Sequence, residues 1–228
     1  YIVNDCYKIV KVSKVNVEPN LCTHGTLCLQ IIQKYSGNSE VHWHSIKILN
    51  NLSKTGNIRS FIEALKFCLT SNIRLIHLSI GTSWFKDFSE IEELISKLTT
   101  KGVIIVAACN NNNVVSYPAY MPEVISVCCD HSLKDNTYIP CSMAGNQAKY
   151  KASSIHTING EITPLSNSFA APVLTSKVLD ILKKTPNISL YEVFCKLNSF
   201  KRESICKHIP AAVYMLGNVS FLHIIEEN

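Results

Sequence analysis

The chain has 228 residues, 46% of them hydrophobic and 17% charged, and its formal net charge is +5. A chain with so few charges and so much apolar surface is not intrinsically disordered, and this length buries a core without disulfides or metal ions. No apolar run approaches the ~18 residues of a membrane span, and the basic residues are scattered instead of forming a nucleic-acid-binding patch. We therefore expect one folded domain with no membrane or nucleic-acid partner.

The hydrophobic pattern predicts alternating strands and helices along most of the chain. One run, 103–108, is continuously apolar and is typical of a strand buried on both faces. In chain order, strands are predicted at 1–4, 7–17, 41–49, 74–80, 103–108 and 124–129, and helices at 25–35, 58–69, 88–100, 168–184 and from 189 onward. This alternation predicts an α/β domain around a mainly parallel sheet, with its ligand site at the carboxyl ends of the strands.

The cysteines and the first residues of the chain bear on the compartment. The ten cysteines show no CxxC spacing, and the N-terminal sequence lacks the basic and apolar regions of a signal peptide. Reduced thiols in a cytoplasmic protein are therefore expected. Residues 1–186 are expected to form the core of the domain, and residues 187–228 a C-terminal helical extension packed on the same domain.

Four polar residues stand where predicted strands end or predicted helices begin. Asp5 ends the first predicted strand, and Asn110 follows the fully apolar one. His24 precedes the first predicted helix, and Ser168 opens a long one. Each alone is more often a turn, cap or core residue than a catalytic one. Together they supply the parts that acyl transfer needs, which are a nucleophile, a base, a carboxylate that holds the base and a donor to the oxyanion.

Short motifs surround these residues in a fixed order. They are THGT at 23–26, LSIG at 78–81, IIVAACN at 104–110, SYPAYMPEVISV at 116–127 and SNSFAAP at 166–172. In these motifs and in their order, the chain resembles the subtilisin-like serine proteases from about residue 1 to residue 186. The resemblance implies a three-layer α/β fold, with a mainly parallel central sheet flanked by helices. Because no propeptide is visible in the sequence, we expect a small intracellular enzyme of this family.

The resemblance further implies roles for the residues that match the family's motifs. Ser168 would act as the nucleophile, and His24 as the general base that later protonates the leaving amine. Asp5 would orient the imidazole, and Asn110 would donate its side-chain amide to the oxyanion. The residues implied in substrate binding are Ser79, Ile80 and Gly81, which would pair with the substrate as an added strand, and Ala108, Cys109, Asn111 and Ser116, at or near the specificity pocket.

Three positions depart from the family's motifs. Asp5 is followed by Cys-Tyr where the family has Ser or Thr and then Gly, and its spacing to His24 is shorter than usual. The two residues before Ser168 are Ser-Asn where Gly-Thr is usual, and Cys109 stands where the family has Gly. None of these changes removes a reacting atom. Because a Cys side chain fills space and the neighbouring pocket positions carry no carboxylate, the pocket is not expected to select Arg or Lys.

The expected function is that of a serine endopeptidase that forms an acyl-enzyme and uses no cofactor or metal. Its substrate would be a specific peptide or protein, as in leader-peptide removal. The alternative is a catalytically degenerate subtilisin-fold module that holds a peptide or protein partner without cutting it. Two other features are weaker. His42 and His44 share a strand face, as a metal pair could, but lack an evident third ligand. Cys22 or Cys28 could be the nucleophile of a cysteine protease, but both flank His24 in the sequence instead of facing it from another element.

Overall fold

A computed structural model describes residues 1–4, 6–11, 24–37, 41–48, 56–141 and 148–199, together with the backbone of 220–225. Asp5 and Cys22 therefore lie outside the described residues, as does most of the strand predicted at 7–17. No helix in the described ranges is long and apolar enough to cross a membrane.

Helices and strands alternate over the described part of the chain, as the hydrophobic pattern predicts. The helices are α1 (His24–Ser36), α2 (Ile58–Thr70), α3 (Phe88–Thr100), α4 (Asn167–Lys184) and α5 (Leu190–Asn198). The strands are β1 (Ile2–Val3), β2 (Ile9–Val10), β3 (His42–Lys47), β4 (Leu75–Leu78), β5 (Ile104–Ala108), β6 (Ile125–Cys129), β7 (Tyr138–Pro140), β8 (Tyr150–Ala152), β9 (Thr157–Ile158), β10 (Glu161–Ile162) and β11 (Ser220–Ile225).

The central sheet is parallel except at its two edges. Its strand order is β2-β1-β3-β11-β4-β5-β6-β8-β7, and β9 and β10 form a separate hairpin. Only the edge pairs β1–β2 and β7–β8 are antiparallel within this sheet. Because parallel strands end at the same edge, the loops that follow β4, β5 and β6 meet there.

Helices cover both faces of the sheet, which makes three layers. Along β4 the side chains alternate, so Leu75 packs under α4 and α5 while Ile76 packs under α2 and α3. All five residues of β5 are buried, as expected for a strand covered on both faces. The expected α/β fold, with a mainly parallel sheet flanked by helices, is confirmed.

The end of the chain differs from the helical extension predicted for 187–228. The helix predicted from residue 189 is present as α5, which opens with a capping box between Ser189 and Glu192. Residues Ser220–Ile225, however, form β11, a strand in the middle of the sheet between β3 and β4. Local sequence signals mark this segment as apolar but do not specify its partners, since strand pairing is decided by distant parts of the chain.

Candidate active site

The start of α4 carries Ser168, the predicted nucleophile. Ser166 is the N-cap, and its Oγ accepts a hydrogen bond of 3.2 Å from the backbone N–H of Ser168. Ser168 is largely buried, with 5% of its surface exposed. At this position the positive end of the helix dipole faces any negative charge that develops beside the side chain.

Asn167 joins the start of α4 to the loop after β5 and to the end of β6. Its Nδ2 donates to the carbonyl oxygens of Cys109 and Asn110, both at 3.1 Å. Its Oδ1 accepts from the N–H of Cys129 at 2.7 Å, and its own N–H donates to Oδ1 of Asn111 at 2.9 Å. The sequence marks Asn167 only as a departure from the family's usual Gly-Thr pair. In the structure it fixes the strand ends and the helix start as one unit.

Asn110 lies in the loop after β5, where Asn167 bonds its carbonyl oxygen, and its side-chain amide is free to donate hydrogen bonds. Its Oδ1 accepts a hydrogen bond of 2.8 Å from the N–H of Asn112, which fixes the side chain over its own turn. Its Nδ2 makes no hydrogen bond within the described part of the chain. An amide held through its oxygen, with its N–H groups unused, is arranged to donate to an oxyanion.

His24 is the first residue of α1, and its ring reaches the start of α4. The ring packs on Phe169, the residue after Ser168, with 4.6 Å between ring centroids. Burial lowers the pKa of His24 below its ordinary value, which favours the neutral imidazole that a general base requires. Its Nε2 is buried without a hydrogen-bond partner among the described residues, so no bond from this atom to Ser168 is formed here.

The strand that precedes the predicted carboxylate Asp5 does not lie beside β4. β1, which ends two residues before Asp5, is separated from β4 by β3 and β11, a span of ~14 Å at ordinary strand spacing. The strand beside β4 is β11, whose Ile224 is paired in register with Leu78. α1 lies against β11 as well as α4. The next two residues in the sequence after β11 are Glu226 and Glu227, which lie outside the described residues.

The chain after β4 carries Ile80 and Gly81, two of the residues predicted to bind substrate. Thr82 and Tyr117 form an antiparallel bridge through backbone hydrogen bonds of 2.9 and 2.8 Å. A Cβ at Gly81 would lie 2.8 Å from the carbonyl oxygen of Tyr117, so this close approach requires glycine. The backbone of Ile80 and Gly81 makes no hydrogen bond to the described residues, which leaves it able to pair with a strand. Beside it lies a cleft of about 390 Å³ lined in part by Ile80, Gly81, Trp84 and Asp87.

The predicted pocket residues divide into buried and exposed ones. Ala108, Cys109 and Ser116 are buried, whereas Asn111 is exposed and its Nδ2 bonds Oγ of Ser166 at 3.4 Å. Burial is the largest cause that raises the pKa of Cys109, to about 12, so the thiol stays protonated near neutral pH. The charged side chain that acts on this pKa is the cation of Lys149. Among the described residues, no carboxylate acts directly on this thiol.

The structure also describes the surroundings of the histidine pair, considered as a metal site, and of Cys28, considered as a nucleophile. Within the described ranges no group of three or more His, Cys, Asp or Glu side chains is placed to hold a metal ion. His44 stacks on Tyr1, with ring centroids 5.6 Å apart. The Sγ of Cys28 is fully buried and donates to the carbonyl oxygen of Ser168 at 3.4 Å, which makes it part of the packing beneath the nucleophile.

Comparison with solved structures identifies the fold. The chain is similar to Sphericase, with a TM-score of 0.52 and 22% identity over 68% of this chain and 58% of that one. It is also similar to the S41 psychrophilic protease, with a TM-score of 0.50 and 19% identity over the same shares, 68% and 58%. No family model and no curated protein matches the sequence.

The two structural neighbours are subtilisin-like proteases, and the fold of this chain is the subtilisin-like α/β fold. The chain spans 58% of the length of each of these neighbours. At this level of identity the likeness defines the fold, and the catalytic assignment depends on the residues of the site.

Proposed function

We propose that the chain is a serine endopeptidase in which Ser168 is the nucleophile, His24 the general base and Asn110 an oxyanion donor. The observation that carries the proposal is the meeting of three elements at one sheet edge. Ser168 lies at the N-terminus of α4, Asn110 presents an unused amide from the adjoining loop, and the ring of His24 rests on Phe169.

The proposed reaction has two halves. Ser168 Oγ attacks the scissile carbonyl carbon while its proton passes to Nε2 of His24, which is buried and carries no other hydrogen bond from the described residues. Asn110 Nδ2 and the positive dipole end of α4 stabilise the oxyanion of the tetrahedral intermediate. His24 then donates the proton to the leaving amine, which produces the acyl-enzyme. Water deprotonated by His24 attacks the ester in the second half and releases the acid product.

Asp5 is proposed, from the motif order, as the carboxylate that orients His24 and stabilises its charged form. The strand order provides a reason to compare it with Glu226. β11, and not β1, lies beside β4, and Glu226 directly follows β11 in the sequence.

The proposed substrate is a specific peptide or protein that binds in extended form along Ile80 and Gly81. The unpaired backbone of these residues would form an added antiparallel or parallel ladder with it. Burial of Cys109 and the absence of a described carboxylate beside it favour an uncharged side chain at the cleaved position. Leader-peptide removal in the cytoplasm is one activity of this kind.

Labelling with a fluorophosphonate probe tests the proposal. Wild-type protein and the surface control Ser96→Ala are expected to label equally, and Ser168→Ala is expected not to label. Mass spectrometry of the labelled peptide should place the adduct on Ser168. Equal labelling of Ser168→Ala and wild type would refute the assignment of the nucleophile.

A second candidate function is peptide binding without cleavage, and the absence of a hydrogen bond between Nε2 of His24 and Ser168 favours it. This function predicts a wild-type protein that the probe does not label. Such a protein would still bind an extended peptide at the edge formed by Ile80 and Gly81.

A further inference from the structure

A buried histidine that the proposed reaction does not use lies beneath the nucleophile. His77 is on β4 and has no exposed surface. Its Nδ1 is 2.8 Å from Oγ1 of Thr175, and its Nε2 is 2.9 Å from Oγ of Ser79. Ser79 Oγ in turn donates to the carbonyl oxygen of Ser168 at 3.2 Å. A chain of hydrogen bonds therefore runs from the middle of α4 through β4 to the nucleophile's own carbonyl.

The carbonyl of Ser168 needs this donor because of the sequence of α4. In an α-helix this oxygen would accept from the N–H four residues later. That residue is Pro172, which has no N–H. The donors that replace it are the hydroxyl of Ser79 and, more weakly, the thiol of Cys28 at 3.4 Å.

Because the carbonyl of Ser168 needs a donor, the structure also decides which atom of each hydrogen-bonded pair donates the proton. If Ser79 donates to Ser168, its oxygen must accept from Nε2 of His77. A neutral ring protonated at Nε2 has an acceptor at Nδ1, which the hydroxyl of Thr175 fills by giving up its 3.0 Å bond to the carbonyl oxygen of Ala171. That carbonyl still accepts the helix hydrogen bond from the N–H of Thr175, whereas the carbonyl of Ser168 has no such bond. The reverse tautomer would draw the proton of Ser79 to the ring and leave the carbonyl of Ser168 with only the thiol of Cys28. Hydrogen-bond satisfaction thus assigns the order Thr175 to His77 to Ser79 to Ser168.

We propose that His77 is a positioning residue for the nucleophile, acting through Ser79 on the first turn of α4. This inference rests on the proposed peptidase function. By holding the hydroxyl of Ser79 toward the carbonyl of Ser168, His77 fixes the backbone from which Ser168 Oγ projects. It contacts neither the oxyanion nor the substrate, so its loss should slow acylation and leave substrate binding unchanged.

Two substitutions of His77 separate positioning from packing. The amide nitrogen of a glutamine can occupy the place of Nε2, whereas an asparagine reaches only the place of Nδ1. His77→Asn should lower kcat and the rate of fluorophosphonate labelling about tenfold, which is less than the ~10²-fold that a 1 Å misplacement of a reacting group can cost. KM should stay within about twofold of wild type, and His77→Gln should recover most of the lost rate.

Ser79→Ala is the second variant, and it changes less volume than His77→Asn. It should reproduce the acylation defect, and the double variant His77→Asn/Ser79→Ala should be no slower than either single variant, because both break one chain. Rates are normalised to the folded fraction, measured by near-UV circular dichroism. Equal losses in His77→Asn and His77→Gln, or additive losses in the double variant, would overturn the role of His77 while leaving the peptidase intact. A wild-type protein that does not label would overturn both proposals.

Discussion

The two sides of the candidate site are built differently. On the nucleophile side, Asn167 makes four hydrogen bonds that connect the start of α4 to the ends of β5 and β6, and Ser79 holds the carbonyl of Ser168 from below. On the base side, His24 is held by burial and by its contact with Phe169, and its Nε2 has no described partner. The proposed nucleophile and its surroundings are therefore held by hydrogen bonds, whereas the proposed base is held by packing.

This difference has a physical reason. Polar groups at the ends of parallel strands and at a helix start must find partners when they are buried, and on the nucleophile side they find one another. A catalytic imidazole must keep one nitrogen unused by the protein so that it can accept the proton of the nucleophile.

The carboxylate partner of the base is the first test. If Asp5 orients His24, Asp5→Asn should lower kcat/KM by about 10⁴-fold, because the imidazole loses its tautomer and its counter-charge. Glu226→Gln is the matched variant, and it should change kcat/KM by less than about threefold if Asp5 is the partner of His24. The rate at which each variant hydrolyses a peptide that the wild-type protein cleaves measures its kcat/KM.

The opposite outcome would move the carboxylate to the end of β11. A large loss in Glu226→Gln with full activity in Asp5→Asn would remove Asp5 from the site. It would also explain why β11 occupies the place beside β4.

The oxyanion donor is the second test. Asn110→Asp keeps an oxygen that can accept from the N–H of Asn112 but replaces the amide with a carboxylate. We expect kcat to fall by about 10²–10³-fold with little change in KM, since the lost interaction acts in the transition state. Asn112→Ala, which retains the backbone donor, should be close to wild type. A raised KM with unchanged kcat would place Asn110 in ground-state binding instead.

The third test concerns the hydrogen bonds that Asn167 makes on the nucleophile side. Asn167→Ala removes the partner of two carbonyls and of the N–H of Cys129 in a residue with 6% exposure. Unpaired buried groups of this kind should lower the free energy of unfolding by about 2–4 kcal/mol. Urea denaturation measures the change, and Asn198→Ala, which removes one bond to Tyr150, should cost clearly less. Equal losses of unfolding free energy in the two variants would mean that the hydrogen bonds of Asn167 stabilise the fold no more than an ordinary side-chain bond.

The residues show what the sequence can and cannot predict. The α/β class follows from local signals, since β5 is continuously apolar and α3 has the bounds that its periodicity predicts. Four motif positions indicate the candidate site because their residue types carry the chemistry. The place of β11 is not predictable locally because its neighbours, β3 and β4, are distant in the chain.

The supporting residues were missed for a related reason. Asn167 is visible in the sequence only as a departure from a motif, and its role depends on carbonyls contributed by another loop. His77 does leave a signal, since a histidine inside the apolar run of β4 must find polar partners when buried. The identity of those partners, Thr175 and Ser79, depends on how α4 crosses the sheet.

The pH dependence of kcat/KM should report on the base side alone, through a small shift of its acid limb. Burial lowers the pKa of His24 from its ordinary value of 6.5, so the neutral, active ring persists below that pH. The acid limb of kcat/KM should therefore fall below pH 6.5, since this ratio follows the ionisation of the free enzyme. Removing the carboxylate partner should move the limb to still lower pH, because the imidazolium loses its counter-charge. A wild-type limb above about pH 7 would mean that an ion pair outweighs burial, and the base side would then be as fully organised as the nucleophile side.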